Sequence, residues 1–191
     1  MAALEISGGF VVIGLLLVAA FIVIAIYNGL ISLRNNTDKA WANIDVLLKK
    51  RLDLIPNLVE IVRGYASYER SVLEDITKIR ASAMQAQGFP EKARGSEAVN
   101  ASLGSVFALA ENYPALEASE NVLSLQKSLS TMETQITQRR EFYNDSMLLY
   151  NTNISTIPGV FIADMLKYTP REYFRVDGDV ETPVKVSIET R

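Results

Sequence analysis

Residues 8–50 read "GGFVVIGLLLVAAFIVIAIYNGLISLRNNTDKAWANIDVLLKK", and the fold turns on whether this is one helix or two. No charged side chain occurs from Ile6 to Leu33. At 1.5 Å per residue, the twenty residues Gly8–Tyr27 make a rod of roughly 30 Å, the thickness of a bilayer's hydrocarbon core. Beyond it, Leu30, Leu33, Thr37, Ala40, Trp41, Ile44, Leu47 and Leu48 recur at helical spacing, with no turn signal in between. The pattern predicts a single helix that leaves lipid and becomes amphipathic. A secretory signal peptide is the rival reading, but no basic segment precedes the run, the run is too long, and no A-x-A site closes it. A buried core helix apolar on every face would be unusual in so small a domain.

Upstream stands only Glu5; downstream come Arg34, Lys39, Lys49, Lys50 and Arg51. The positive-inside rule therefore places residues 1–7 outside, a transmembrane helix over 8–29, and the remainder in the cytoplasm. Tyr27 suits the interface, with its ring among acyl chains and its hydroxyl at the headgroups.

Further on, "RLDLIPNLVEIV" (51–62) puts Pro56 inside the continuing stripe Leu52, Ile55, Leu58, Val59, Val62. Asp53 could cap a fresh helix, with Pro56 harmless in its first turn. Alternatively one helix carries on with a bend, at about 3 kcal/mol of local stability. The stripe keeps its phase through the proline, which favours the second reading. This helix should end near Arg63, with Gly64 past its terminus and Ser67 capping a second helix over 67–87 on Val72, Ile76, Ile79 and Ala83. "GFPEKARGS" (88–96) reads as a loop, by its glycines, proline and charges. A third helix should cover 97–111, capped by Ser96, with Leu103, Val106, Phe107 and Ala110 inward. Tyr113-Pro114 ends it.

A fourth helix, from between Pro114 and Ser119 to Ile157, has the longest seam: Val122, Leu125, Leu129, Met132, Ile136, Tyr143, Tyr150 and Ile157, with Arg139, Ser146 and Asn153 at polar interruptions. Such heptads predict shallow-angle, coiled-coil-like packing. The fold class is all-α: a transmembrane helix continuing into an antiparallel up-down four-helix bundle over 30–169, followed by a tail, 170–191. In that topology the fourth helix ends near the bilayer, so "IPGVFIADMLKY" (157–168) either touches the membrane surface or caps the bundle. The closing "RVDGDVETPVKVSIETR" (175–191), where Val184, Val186 and Ile188 alternate, cannot bury a face alone and should be mobile.

Composition excludes much chemistry. Among 191 residues there is no cysteine and no histidine, and the formal net charge is −3. Disulfides, thiolate nucleophiles and Ser-His-Asp machinery are unavailable, and zinc, copper and haem sites lose their usual ligands. The acidic balance argues against a nucleic-acid partner. A di-metal carboxylate bundle needs Glu-x-x-His repeats, which cannot be built.

Several blocks carry a family likeness. "YNGLISLRNNTDKAWANIDVLLKKRLDLIPNLVEIVRGYASYE" (27–69), "ENYPAL" (111–116), "METQITQRREFYNDSMLLYNTNI" (132–154) and "DMLKYTPREYF" (164–174) together resemble the LemA family of bacterial membrane proteins. The resemblance implies an N-terminal membrane helix and an antiparallel helical bundle in the bacterial inner membrane. It supplies no activity. Where many relatives have histidine in the "GYA-x-His-Glu" block, this chain has Tyr68.

The candidate polar residues are Glu60, Arg63, Glu133, Arg140, Asn144 and Asn151, each beside an apolar stripe. A solvated flank or a register-fixing network ranks first. A catalytic carboxylate pair, Glu60 with Glu133, ranks far behind. Lys49, Lys50 and Arg51 stand ~30 Å beyond Leu30 along the helix, too far to read headgroups across a Debye length of ~8 Å, and are read as a solvated flank or as partners of acidic neighbours. Arg34 and Lys39 are close enough to feel anionic lipid. Trp41 is read as core, and Ala25-x-x-x-Gly29 is a weak helix-packing motif.

The expected function is a membrane-anchored scaffold or adaptor without catalytic activity, with no catalytic, cofactor-binding or metal residue assigned and no cofactor. Its expected partners are membrane lipid, further copies of itself and other membrane proteins. A membrane-remodelling coat is the alternative, and a hydrolase using carboxylates or a serine–lysine pair the remotest.

Overall fold

The computed structural model describes residues 2–66 and 68–174. All regular structure among them is helical: α1 (Ala2–Tyr65), α2 (Arg70–Gln85), α3 (Gly88–Ala110), α4 (Pro114–Glu117), α5 (Glu120–Ser155) and α6 (Gly159–Met165). Contacts divide these residues into two compact units. One comprises the residues up to Val46 together with Gln135–Tyr173; the other comprises Leu47–Thr134 and Phe174. The long helices α1 and α5 each contribute a segment to both.

In the first unit, α1 carries an uncovered apolar stretch in which Val11, Leu15, Leu16, Leu17, Phe21 and Ile24 are all exposed. It is long and apolar enough to cross a membrane. The amphipathic stripe that follows is the predicted one. Leu30, Thr37, Ala40 and Ile44 are buried, and Leu33 and Trp41 are half-buried. Facing them from α5 are Tyr143, Tyr150 and Ile154. Leu30 clusters with Tyr150 and Ile154, while Trp41 meets Tyr143 with ring centroids 6.0 Å apart. Rising numbers on α1 meet falling numbers on α5, so the pair is antiparallel.

In the second unit, Ile55, Leu58, Val59 and Val62 of α1 share a core with Leu73 and Ile76 of α2, Val99, Leu103 and Val106 of α3, Leu116 of α4, and Val122 and Leu129 of α5. The helix is continuous through Pro56, so Asp53 lies mid-helix and does not open a fresh one. It runs on through Gly64 to Tyr65, and α2 opens at Arg70 behind Glu69. The proposed cap Ser67 lies outside the described residues.

Residues 88–96 are a correction. They are not a loop but the first turns of α3, reached from α2 across Ala86 and Gln87 alone. The turn signals mislead because a helix start tolerates them. Pro90 sits in the first turn, where amides have no intrahelical acceptor, and the Glu91 carboxylate accepts the Gln87 N–H at 2.9 Å. Gly95 permits close packing: a Cβ there would lie 3.4 Å from both Cα and Cβ of Ala83 on α2. Ser96, expected as a cap, is buried within the helix.

The seam of α5 holds at Val122, Leu129, Ile136, Tyr143 and Tyr150, all buried, with Leu125 and Met132 half-buried. Its later part departs from the heptad. Arg139 and Asn153 are exposed, while Met147 and Ile154 are buried instead, and Ile157, the expected end of the helix, lies exposed beyond its last residue, Ser155. An α-helix turns once in 3.6 residues, so a seam written at 3.5 drifts, and the buried face moves round the helix.

Candidate functional site

Buried polar side chains mark two clusters, one in each unit: Thr37 in the first, Arg51 and Ser96 in the second. The first lies where α1 leaves its apolar stretch. There α6 packs Ile162 and Ala163 against Ile26, Leu30 and Leu33 of α1 and Tyr150 and Ile154 of α5. Gly159 makes this approach possible, since a Cβ on it would stand 2.1 Å from the Asn153 carbonyl oxygen. The helix ends in a Schellman turn. Tyr168 N–H donates to Ala163 O at 2.9 Å and Lys167 N–H to Asp164 O at 3.1 Å, with Lys167 held at φ 54°. That turn returns Tyr168 to the cluster, 6.2 Å from the Tyr150 ring, with the Arg34 guanidinium 5.0 Å above its own ring. Its hydrogen bond with Tyr168 raises the Arg34 pKa further above its ordinary value, so the cation is permanent.

Beyond the turn, residues 169–172 run without regular structure and are strapped down by α5. Asn151 makes both amide bonds to one residue: it accepts from Arg171 N–H and donates to Arg171 O, each at 2.9 Å. Tyr150 donates to Thr169 O and Tyr143 to Glu172 O, both at 3.3 Å. The Arg171 side chain then reaches α1, pairing with Asp38 and donating to Thr37 Oγ1 at 3.3 Å. Burial pushes the Tyr143 phenol up to about 12, against the opposing charge of Arg171. Burial raises Tyr150 as well. Both hydroxyls therefore stay protonated donors. The start of the predicted tail is thus docked as far as Phe174, which is buried and meets Phe89 edge-on at 5.3 Å within the second unit. Residues 175–191 lie outside the described residues.

The second cluster is Arg51, buried on α1, ion-paired with Glu133 of α5 and donating to Ser96 Oγ of α3 at 3.4 Å. Among the three cations at 49–51, only Arg51 turns inward; Lys49 and Lys50 are exposed. Nearby on the same unit, Pro56 leaves the carbonyl of Leu52, four residues back, without its helical donor. The Arg80 Nε of α2 donates to that oxygen at 2.8 Å. The proline thus opens an acceptor through which a second helix is tied.

Of the sequence candidates, Glu133 is bonded across helices to Arg51, and Asn151 holds the backbone of Arg171 in the segment after α6. Glu60 and Arg63 are exposed, and Arg140 and Asn144 are half-buried. Glu133 meets Arg51 rather than a second carboxylate, so the Glu60–Glu133 pair has no geometric support. Arg63 lines an open cleft of ≈ 650 Å³ with Arg70, Leu73, Glu74, Thr77 and Lys78. Among the described residues, no group of three or more Asp or Glu side chains could hold a metal ion. Tyr68, at the histidine position of the resemblance, is exposed in the turn before α2.

Sequence reasoning missed Arg171, Arg80 and the inward turn of Arg51. The two seam tyrosines carried a signal for the strap, because a buried phenol needs a hydrogen-bond partner.

Comparison with known proteins gives this arrangement a family. The LemA family model matches residues 40–188, more than three quarters of the chain, and the chain belongs to that family. Two proteins of Paramagnetospirillum magneticum, named magnetosome protein MamQ 1 and magnetosome protein MamQ 2, are each 26% identical over 201 residues, covering 91% of this chain and 74% of the relative. The magnetosome protein MamQ of Magnetospirillum gryphiswaldense is 24% identical over 184 residues, covering 83% and 68%. With its long apolar helix, the chain is a membrane-associated member of the family.

Proposed function

We propose that this LemA family member is a non-enzymatic scaffold, held in the membrane by one pass of α1, with its N-terminus outside and its helical units on the cytoplasmic side. The observation that carries this reading is how the polar groups between packed segments are used. Arg51, Glu133 and Ser96 are bonded to one another across three helices, and Arg171 ties the segment 169–172 to Asp38 and Thr37 of α1 and to Asn151 of α5. Groups engaged in this way fix helix register, which is what a rigid docking platform requires.

Self-association belongs to the proposal. On α5, Phe142 and Leu149 are seven residues apart, both exposed, with exposed Leu148 beside them. That spacing gives a helix face suited to another helix of the same type. The test is the mass of the full chain in nanodiscs across a concentration series, with Phe142→Ser/Leu149→Ser as comparison. A multimer that the double substitution dissociates is the expected result. A strict monomer at every concentration would remove self-association, and chemical crosslinking in intact cells that captures no protein partner would remove the scaffold.

A coat that remodels membranes is the second reading, favoured by the exposed apolar residues Ile157, Phe161 and Met165 around α6. Imaging liposomes before and after addition of the purified chain separates the two: tubulation or vesiculation supports a coat, and unchanged vesicles leave the scaffold.

A further inference from the structure

We propose that α6 is a second membrane contact. It lies in the headgroup region of the bilayer that α1 crosses, with Ile157, Phe161 and Met165 among the outer acyl segments. This rests on the reading that residues 8–29 span the membrane.

The depth of α6 is fixed by what it packs on. Its inner side, Ile162 and Ala163, lies against Ile26, Leu30 and Leu33, the residues on either side of the point where the apolar run closes at Tyr27. Leu30 is three residues past Tyr27, which is ~4.5 Å along a helix. A helix packed on these residues therefore sits at the boundary between hydrocarbon and headgroup. Gly159 holds it there, with its Cβ position 3.9 Å from Leu30 Cδ2 and against the backbone of Asn153. The lipid boundary is thus shared by α6 and α1.

The outward side has the matching chemistry. Phe161 and Met165 are four residues apart on α6, and Ile157 stands just ahead of it; they are 66%, 67% and 78% exposed. The buried Gly159 and Ala163 alternate with them. Cations accompany this apolar stripe. Arg34 stands over the Tyr168 ring, and Lys167 is exposed at the end of α6, with Asp164 as the acidic group within the helix. An apolar face with basic residues at its margin is the composition of an interfacial helix on an anionic surface. Lipid, rather than another copy, is the occupant because the stripe continues the uncovered apolar surface of α1, where Phe21, Ile22 and Ile24 are also exposed.

The chain has no cysteine, so a single introduced thiol labels one place only. Three full-length variants, Phe161→Cys, Leu16→Cys and Asn43→Cys, each carry an environment-sensitive fluorophore in vesicles of phosphatidylcholine and phosphatidylglycerol; Asn43 is exposed on α1. Nitroxide-bearing lipids are the quenchers, placed either near the headgroup or deep in the chain. The label at position 161 should be quenched at least about twofold by the shallow nitroxide, while the label at position 43 stays unquenched, as expected of an interfacial helix. The deep nitroxide should quench the label at position 16. Quenching at 16 but not at 161 overturns the lipid contact and leaves the anchor in place. A blue-shifted but unquenched label at 161 also overturns it, marking protein contact instead. Loss of quenching at both positions overturns the anchor itself, and this proposal with it.

Discussion

At the scale of single residues, Arg51 and Glu133 form an unequal pair. Arg51 is 2% exposed, whereas the Glu133 side chain is 37% exposed and can recover water if its partner goes. Removing Glu133 leaves a charged guanidinium in the interior without its carboxylate; removing Arg51 leaves inside only the neutral Ser96 hydroxyl that it donates to. Glu133→Ala should therefore destabilise by about 2–3 kcal/mol, and Arg51→Met, which keeps the aliphatic stem, by about 1 kcal/mol or less. Thermal melts of the full chain in detergent, followed by circular dichroism, measure both. Equal losses would show that the pair acts by attraction alone. Tyr143 makes a second prediction. Its phenol ionises near 10 when unfolded and at about 12 in the fold, because burial disfavours the anion. The unfolded chain thus loses this proton first. The stabilisation is complete below pH 10 and disappears as pH climbs through 12. Between those values the native protein should lose about 2 kcal/mol more than Tyr143→Phe, read from melts at each pH. Single side chains such as Arg51 were hard to read from sequence, because three consecutive cations point round a helix and nothing local says which one turns inward.

Among the elements, the telling one is the helix turn around Pro56. Leu52 O would ordinarily accept from residue 56; here Arg80 Nε takes it at 2.8 Å. Arg80→Ala should destabilise by about 1 kcal/mol in the native background and by roughly half that in Pro56→Ala, where a restored amide competes for the same oxygen. A denaturation cycle of the four proteins gives the coupling, and strict additivity would contradict the tie. Glycines separate two kinds of close packing. Gly159→Ala forces a methyl onto a carbonyl oxygen and should cost about 3 kcal/mol or more, by cancelling the docking of α6. Gly95→Ala meets Ala83 at ordinary contact distance and should stay within about 1 kcal/mol of the native chain. Melts of the two variants rank them. The stripes of α1 and the first part of α5 were legible because apolar spacing records burial directly. Residues 88–96 were not, since Gly, Pro and Ser read the same in a loop as in the opening of a helix packed against a neighbour. The strap over 169–172 was hidden for another reason: its bonds run from side chains to backbone and leave no period to see.

For the molecule as a whole, the apolar surface decides the setting. From Val11 to Ile24 the side chains of α1 are uncovered, and one helix carries them into the residues that pair with α5. Length and apolarity made this segment readable at once, whereas which side of the membrane the helical units occupy rests on a few flanking cations. The central claim is that the chain is anchored in lipid through α1 as a permanent part of the protein. Extraction of cell membranes with alkaline carbonate, followed by mass measurement of the chain in pellet and supernatant, tests it most directly. The account predicts a chain that stays with the membrane and retains residues 8–29. Release into the supernatant, or a chain shortened by its apolar segment, would contradict it.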